Sequence, residues 1–330
     1  MRAHKADSTG SSYNVDMATA IAMTTKHITR GLVRYAWFVV GYNILVILWG
    51  ALVRATGSGA GCGNHWPLCN GQVVPLSPRV DTVIEFTHRC MTGGATFVVL
   101  ALLIWTFRST VKGQAARAAA VISTLLLVNE AILGALLVKL GYVTGNQSVG
   151  RVVMLSIHLS NTLLLLAALT LTAVLLHTGQ RTADLRLRGA RTKLALVGLA
   201  STIVVGVSGS LAALGDTLFP ASSLRAAVEQ DLSSSSPLLL RLRSVHPLSA
   251  VIAGAFVVWL LTQPGRGRAA HLRTVVLALL GVQFVLGIAD VILLAPIWLQ
   301  ILHLLGADLY WVALIMLTAE LVWLPLESTS

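Results

Sequence analysis

A carboxylate and an imidazole stand three residues apart where a long apolar stretch begins. They are Glu85 and His88, within the segment EFTHR that ends at Arg89. Residues three apart share one face of a helix, and ionisable side chains inside a membrane are costly and usually functional. The pair is therefore the first candidate for chemistry. A plainer interpretation of Glu85 is a helix-surface ion pair with Arg89, four residues further along.

Four histidines stand near the starts of long apolar stretches: His88, His158, His246 and His303. A single histidine in such a stretch is more often hydrogen-bonded to a neighbouring helix than bound to a metal. Four at matching places favour metal ligation, because facing histidines in a four-helix bundle hold haem iron through both axial positions.

The composition indicates that membrane helices position these residues. Of the 330 residues, 55% are hydrophobic and 11% are charged, and the mean hydropathy is +0.79. Soluble domains carry about 25% charged residues. The sequence therefore predicts an all-α polytopic membrane protein. Eight apolar runs are long enough to cross a bilayer: 35–55, 85–107, 117–140, 152–177, 193–214, 243–263, 271–294 and 297–324.

The basic residues predict the orientation. The net charge of +11 does not indicate nucleic acid binding, because Lys and Arg occur in short clusters between the apolar runs. With the N-terminus inside, most of these clusters are cytoplasmic, as membrane proteins favour. The polar residues 1–34 then form a cytoplasmic tail, without the apolar core of a signal peptide. Asp7 and Asp16 argue against a mitochondrial transit peptide, so we expect a bacterial inner membrane with both termini cytoplasmic. All four histidines would then lie towards the outer face.

The two halves of the chain repeat the same order of features. The segment GALV from Gly50 corresponds to GSLA from Gly209, and the dipeptide LG ending at Gly134 corresponds to the one ending at Gly287. The first two histidines correspond in the same order to the last two. We therefore expect two parallel four-helix units, related by an axis along the membrane normal. The predicted boundaries are a bundle at 35–178 with an outer loop at 56–84, a basic linker at 179–192, a second bundle at 193–324 and a tail at 325–330.

The first outer loop carries two cysteines, Cys62 and Cys69, with turn-forming Gly, Asn and Pro between them. Two nearby thiols in an oxidising compartment tend to pair, and such a small ring would shape a lid or serve as a redox element. A zinc site that includes His65 is the competing hypothesis, although these ligands are too few for a closed site.

The run GALVRATGSGAGCGNHWPLC at 50–69, followed by IEFTHR at 84–89, closely resembles haem A synthase. The resemblance extends from Trp37 to about Trp323. It implies an oxidoreductase that converts haem O to haem A, oxidising the C8 methyl of the porphyrin to a formyl group through an alcohol. The product serves terminal oxidases. Because haem O synthase acts one step earlier in the pathway, we expect it as a partner, together with oxidase assembly factors.

The resemblance also implies roles for single residues. His246 and His303 would ligate a haem b in the C-terminal half, whereas His88 and His158 would face the substrate haem O. Glu85 would be the essential carboxylate, acting as a base or stabilising positive charge beside the reacting methyl group.

The halves differ in their reactive groups. Cys62 and Cys69 match a disulfide found in part of the family, and the long loop of the second half has no cysteines. Arg243 stands three residues before His246, where the first half has Glu85, and a cation there suits a haem propionate.

Two other functions compete with the enzyme. A dihaem b-type electron-transfer cytochrome would need the four histidines, but neither Glu85 nor a loop disulfide. A haem-handling carrier would need a polar path to the cytoplasm, and the sequence has no such run. Glu130 and Gln283 occupy matching places in the third and seventh runs, which favours hydrogen bonding between helices.

Overall fold

The computed structural model describes residues 29–185, 190–262 and 268–323. Within these ranges the regular secondary structure is helical, and no β-strand occurs. The predicted tail residues 1–28 and 325–330 and the linker residues 186–189 lie outside the described residues. The α-helices are α1 (Arg30–Ala55), α2 (Val80–Ser109), α3 (Ala115–Lys139), α4 (Val149–Thr178), α5 (Ala190–Leu218), α6 (Leu224–Leu232), α7 (Leu238–Arg243), α8 (Val245–Thr262), α9 (Arg268–Ile292) and α10 (Ile297–Trp323).

Eight segments in the described ranges have the length and hydropathy to cross a membrane, which confirms the predicted polytopic all-α class. The sixth of them comprises α7 and α8 together. Several helices extend beyond the apolar runs. α2 has 30 residues and is therefore about 45 Å long, whereas a bilayer core is about 30 Å thick. Hydropathy reports only the apolar part, so α1 begins at Arg30 and α2 at Val80, five residues before the corresponding runs.

Local sequence signals fix several helix ends. The side chains of Thr29 and Ser148 cap α1 and α4 by accepting from backbone N–H groups three residues further on. Such capping replaces bonds that the first turn of a helix lacks. Gly179 ends α4 in a left-handed conformation with φ of 69°, which a residue without a Cβ adopts at little cost.

Two helices occupy the centre of the molecule. In the membrane spans of α4 and α10, 67% and 50% of the residues are buried inside the protein, whereas in the other spans the share does not exceed 28%. α4 packs on α1, α3, α5 and α10, and α10 also packs on α9, α5 and α1. Leu166, Leu169 and Trp311 lie in the shared core. The two halves of the chain therefore contact each other through α4 and α10.

The outward faces of the helices are apolar. Phe97, Val285 and Ile288 are among the large hydrophobic side chains that remain exposed. Exposed apolar side chains on membrane-spanning helices face lipid rather than water, because the acyl chains are as apolar as the side chains. The protein is a multi-pass membrane protein.

Candidate functional site

His246 and His303 face each other in the C-terminal half. Their ring centroids are 6.4 Å apart and the ring planes are inclined by 79°. Metal–nitrogen bonds of about 2 Å, with each ring centroid about 1 Å behind its nitrogen, place two imidazoles on one iron about 6 Å apart. The separation of the two rings, on α8 and α10, is therefore close to the one that two axial ligands of a haem iron require.

A polar partner orients one ring of this pair. The Ser208 hydroxyl of α5 lies 3.3 Å from Nδ1 of His246 and 2.9 Å from the Ser249 hydroxyl. A hydrogen bond at Nδ1 directs Nε2 towards a metal, as is usual for histidine ligands. Nδ1 of His303 is buried and has no hydrogen-bond partner among the described residues. His303 therefore lacks the orienting partner that Ser208 provides for His246.

His88 on α2 and His158 on α4 occupy the corresponding region of the N-terminal half, close enough to interact electrostatically. Nδ1 is buried in both residues and lacks a hydrogen bond within the part of the chain that the structure describes. In His158 this atom lies 3.3 Å from Oε1 of Glu130, without the geometry of a hydrogen bond. The first half therefore also presents two partly buried imidazoles with unpaired nitrogens.

Glu130 links the third membrane helix to the fourth. Asn161 donates from Nδ2 to its Oε2 over 2.6 Å, and the Thr162 hydroxyl donates to its Oε1. Gln283 holds the matching position on α9. With its amide oriented to satisfy both groups, Gln283 donates to the His303 carbonyl over 3.1 Å and accepts from the Ala307 N–H over 3.2 Å. The expectation of hydrogen bonding between helices at these two positions is confirmed.

Glu85 is buried, with 3% exposure, and both of its carboxylate oxygens have partners. Oε1 accepts from Nε of Arg89 over 3.1 Å and also from Nη2 of that residue. Oε2 accepts from the main-chain N–H of Cys62 over 2.8 Å. The plainer interpretation from the sequence, an ion pair with Arg89, is thus present, but it is buried and part of a larger arrangement.

That arrangement joins α2 to the first outer loop. Nη1 of Arg89 donates to the carbonyls of His65 and Leu68 over 2.6 and 2.7 Å. The Thr82 hydroxyl donates to the Gly61 carbonyl over 2.8 Å, and a Cβ at Gly61 would lie only 2.4 Å from the Asp81 carbonyl oxygen. The loop therefore packs directly on the first turns of α2.

The two cysteines of this loop form a disulfide, Cys62–Cys69, as the sequence predicted. A zinc site at these residues is therefore wrong, because paired sulfurs provide no thiolate ligands. The third cysteine, Cys90 of α2, is free and exposed. The helix turns that position towards the outside, where a small side chain is tolerated.

Arg243 was expected to offer a cation to a haem propionate. The structure shows it paired with Asp216 and Asp231, with nitrogen–oxygen distances of 3.0 and 2.7 Å. It also donates to the Ala227 carbonyl over 3.1 Å. The guanidinium holds α6 against the ends of α5 and α7.

The sequence reasoning missed Arg54, which lies inside the quoted run GALVRATG. Its Nη1 donates to the Ala213 carbonyl over 2.6 Å and to the Thr217 hydroxyl over 3.0 Å, and its Nη2 donates to Oε1 of Gln300 over 3.0 Å. The sequence did offer a signal for it, because Arg54 is a charged residue at the end of the apolar run 35–55 and such a residue needs a partner. The residue ties α1 to α5 and α10, and so joins the two halves of the chain.

A family model described as "Cytochrome oxidase assembly protein" matches residues 33–315 of this chain. The chain belongs to this family. Among its curated relatives, a Thermus thermophilus protein named "Protoheme IX farnesyltransferase" is 46% identical over 300 residues, which cover 88% of this chain and 48% of that protein. The chain thus spans about half the length of that relative.

Other relatives of this chain are named "Heme A synthase". The one from Shouchella clausii is 47% identical over 92 residues, covering 28% of this chain and 31% of the relative. The one from an Exiguobacterium species is 32% identical over 188 residues, which cover 57% of this chain and 60% of the relative. The resemblance noted in the sequence is therefore confirmed at the level of the family.

Proposed function

We propose that this chain is a haem A synthase, which oxidises the C8 methyl of haem O to a formyl group through an alcohol and supplies haem A to terminal oxidases. The observation that carries the proposal is the pair formed by His246 and His303, whose 6.4 Å centroid separation suits one iron between them. The relatives named "Heme A synthase" support the same reaction.

The two histidine pairs have different tasks in this proposal. His246 and His303 hold a resident haem b, and His88 and His158 receive haem O as the substrate. A bound haem supplies redox chemistry at its iron. The chain contributes axial nitrogens, the orientation of the rings and a site from which packed apolar side chains exclude water.

Glu85 is the carboxylate beside the substrate in this proposal. Arg89 and the Cys62 amide hold it as a fixed negative charge, and Oε2 retains a lone pair beyond the one that accepts from Cys62. A preorganised charge stabilises positive charge that develops at a reacting group, because no reorganisation is needed during the reaction. The same oxygen can accept a proton from a substrate hydroxyl.

The role of Glu85 is tested with Glu85→Gln, which preserves the shape of the side chain. We expect the purified variant to keep the low-spin haem spectrum of His246 and His303 while extraction and chromatography show neither haem A nor its alcohol precursor. Glu229→Gln is the control, because Glu229 forms an exposed ion pair with Arg225 at the same i,i+4 spacing. Normal haem A from Glu85→Gln would exclude the catalytic role and favour the electron-transfer cytochrome, in which Glu85 serves only as an ion-pair partner.

The ligand assignments are tested by alanine substitutions. His246→Ala and His303→Ala should each remove the low-spin haem b signal, because a single remaining ligand gives a different spin state. His158→Ala should retain that signal and lose binding of haem O. His177→Ala, on the same helix as His158 and exposed, is the control and should change neither. A normal bis-histidine spectrum in both C-terminal variants would overturn the assignment.

We further propose a bacterial cell membrane with both termini cytoplasmic, so that the histidine pairs lie towards the outer face. The support is the distribution of Lys and Arg between the spans. Cysteines placed at Val74 and Lys112 provide the test, in a chain with Cys90 replaced by Ser. In intact spheroplasts a membrane-impermeant thiol reagent should label only position 74, and labelling only at 112 would reverse the orientation.

A haem O synthase is the proposed partner of this chain. The Thermus thermophilus relative, named for farnesyl transfer to protohaem, matches this chain over about half its length. One polypeptide that unites the two activities would bring haem O to the oxidising site without release into the bilayer. Co-expression of the separate proteins, followed by purification through a tag on one of them, should recover both in stoichiometric amounts. Recovery of the tagged protein alone, at matched expression, would contradict the partnership.

A further inference from the structure

Each of the four candidate histidines packs on a glycine of the preceding membrane helix. His88 lies against Gly50 of α1, and His246 lies against Gly209 of α5. The same relation joins His303 to a glycine of α9 and His158 to a glycine of α3. In all four the imidazole carbon Cε1 is the ring atom nearest to the glycine.

The contacts differ in tightness. A Cβ added at Gly209 would lie 2.9 Å from Cε1 of its histidine, and one added at Gly50 would lie 3.0 Å away. The corresponding distances are 3.4 Å at Gly287 and 4.0 Å at Gly134. Carbon atoms pack best at about 3.5–4.0 Å. An added methyl group would therefore clash with the ring at Gly209 and press on it at Gly50. At Gly287 it would lie at the edge of ordinary contact distance, and at Gly134 it would fit.

Other glycines of the same helices do not approach an imidazole. A Cβ at Gly41 of α1 or at Gly281 of α9 would meet no heavy atom within 4 Å. Gly206 of α5 is also crowded, but by Leu163, whose Cδ1 would lie 2.9 Å from an added Cβ. What distinguishes the glycines that face the histidines is therefore the close approach to an imidazole ring. The nearest atoms belong to a rigid ring, so a methyl group there would displace the imidazole as a whole.

We infer that Gly50, Gly209 and Gly287 are positioning residues, which set the place of the imidazoles of His88, His246 and His303 by leaving no Cβ against Cε1. The inference rests on the proposed haem ligation by these histidines. The glycine meets the edge of the ring that carries Cε1, the carbon bonded to both nitrogens. Its missing Cβ lets the ring lie close to the preceding helix and so sets how far the nitrogens reach from it. Iron bonding depends on that reach, because ligand geometry sets the spin state and redox potential of a haem.

The test uses Gly209→Ala and Gly287→Ala, with Gly281→Ala as the matched control. We expect Gly209→Ala to shift the electron paramagnetic resonance signal of the low-spin haem b and its midpoint potential, and to speed haem loss several-fold. Gly287→Ala should give smaller changes of the same kind, and Gly281→Ala none. If Gly209→Ala and Gly281→Ala have the same resonance signal, midpoint potential and rate of haem loss, the inference is wrong.

A second variant covers the case in which Gly209→Ala does not fold. Removal of the ring removes the clash, so Gly209→Ala combined with His246→Gly should be as stable to heat as His246→Gly alone. If the double variant is as unstable as Gly209→Ala, the glycine acts through helix packing and the inference is wrong. The ligand assignment is judged separately by His246→Ala. If His246→Ala loses the low-spin haem signal and Gly209→Ala keeps it unchanged, the positioning role is wrong and the proposed function stands.

Discussion

Glu85 and Arg89 of α2 hold the first outer loop through hydrogen bonds, and we call this arrangement the clamp. Its contribution to stability can be predicted quantitatively. In Arg89→Met the loop loses two charged donors, to the carbonyls of His65 and Leu68, and Glu85 loses its counter-charge. The two charged side chains are only 12% and 5% exposed. Removal of one partner from a buried ion pair costs about 3–5 kcal/mol, and we take about 3 kcal/mol because the pair lies near the membrane boundary.

The cost should appear as local opening of the loop. Because each 1.4 kcal/mol is a tenfold change in an equilibrium, about 3 kcal/mol makes the Cys62 amide exchange with solvent roughly a hundredfold faster. Hydrogen exchange measured by mass spectrometry on the detergent-solubilised protein resolves this segment. Thiol labelling confirms that the disulfide to Cys69 is intact in every sample.

Arg225→Met is the control for this experiment. Arg225 and Glu229 have the same i,i+4 spacing, but their side chains are 90% and 64% exposed. Exposed pairs of this kind contribute about 0–1 kcal/mol, so amide exchange near them should change little. If the loop of Arg89→Met exchanges no faster than the loop of Arg225→Met, the clamp does not hold the loop.

Three further substitutions test other contacts. Arg54→Leu removes charged hydrogen bonds that reach Gln300 and α5, each worth about 1.5–3 kcal/mol. It should lower the thermal unfolding midpoint by several degrees, and an unchanged midpoint would show that the halves do not depend on it. Trp311→Phe loses the 2.8 Å bond from Nε1 to the Leu163 carbonyl and should cost about 1–3 kcal/mol in detergent unfolding, with an unaltered haem spectrum. Gly61→Ala places a Cβ 2.4 Å from a main-chain oxygen, so the loop amides should exchange faster although every charged group remains.

The sequence predicted those features that depend on long or repeated patterns. Eight apolar runs are sufficient to give eight spans, because each helix satisfies its own backbone hydrogen bonds. The same patterns matched Gly50 with Gly209 and Gly134 with Gly287, yet gave no reason for the match. The chain has 28 glycines, and only the rotation of each helix decides which of them meets an imidazole.

Contacts between distant residues could not be predicted in this way. Arg54 and Gln300 are 246 residues apart, and Arg243 is 27 residues from Asp216. No helical period relates such pairs. A lone charge next to an apolar run indicates that a partner exists, but its identity depends on how α1, α5 and α10 pack.

One position has the same structural task in both halves, with opposite charge. Glu85 stands three residues before His88 and accepts from the Cys62 amide of the outer loop. Arg243 stands three residues before His246 and forms an ion pair with Asp231 at the end of α6. Each charge holds an outer segment against the helix that begins there. Loss of activity on truncation of Glu85 would therefore report a lost anchor as readily as lost chemistry.

Two substitutions separate these effects. Arg89→Met keeps the carboxylate of Glu85 and loosens the loop, whereas Glu85→Gln removes the charge and keeps an oxygen that can accept from Cys62. If Glu85 acts on the substrate, Glu85→Gln should abolish haem A formation with the exchange rate of the Cys62 amide little changed, and Arg89→Met should retain measurable haem A despite fast exchange. If haem A formation instead falls in parallel with loop opening in both variants, the carboxylate acts through the loop, and the chemistry at the methyl group needs no side chain at this position.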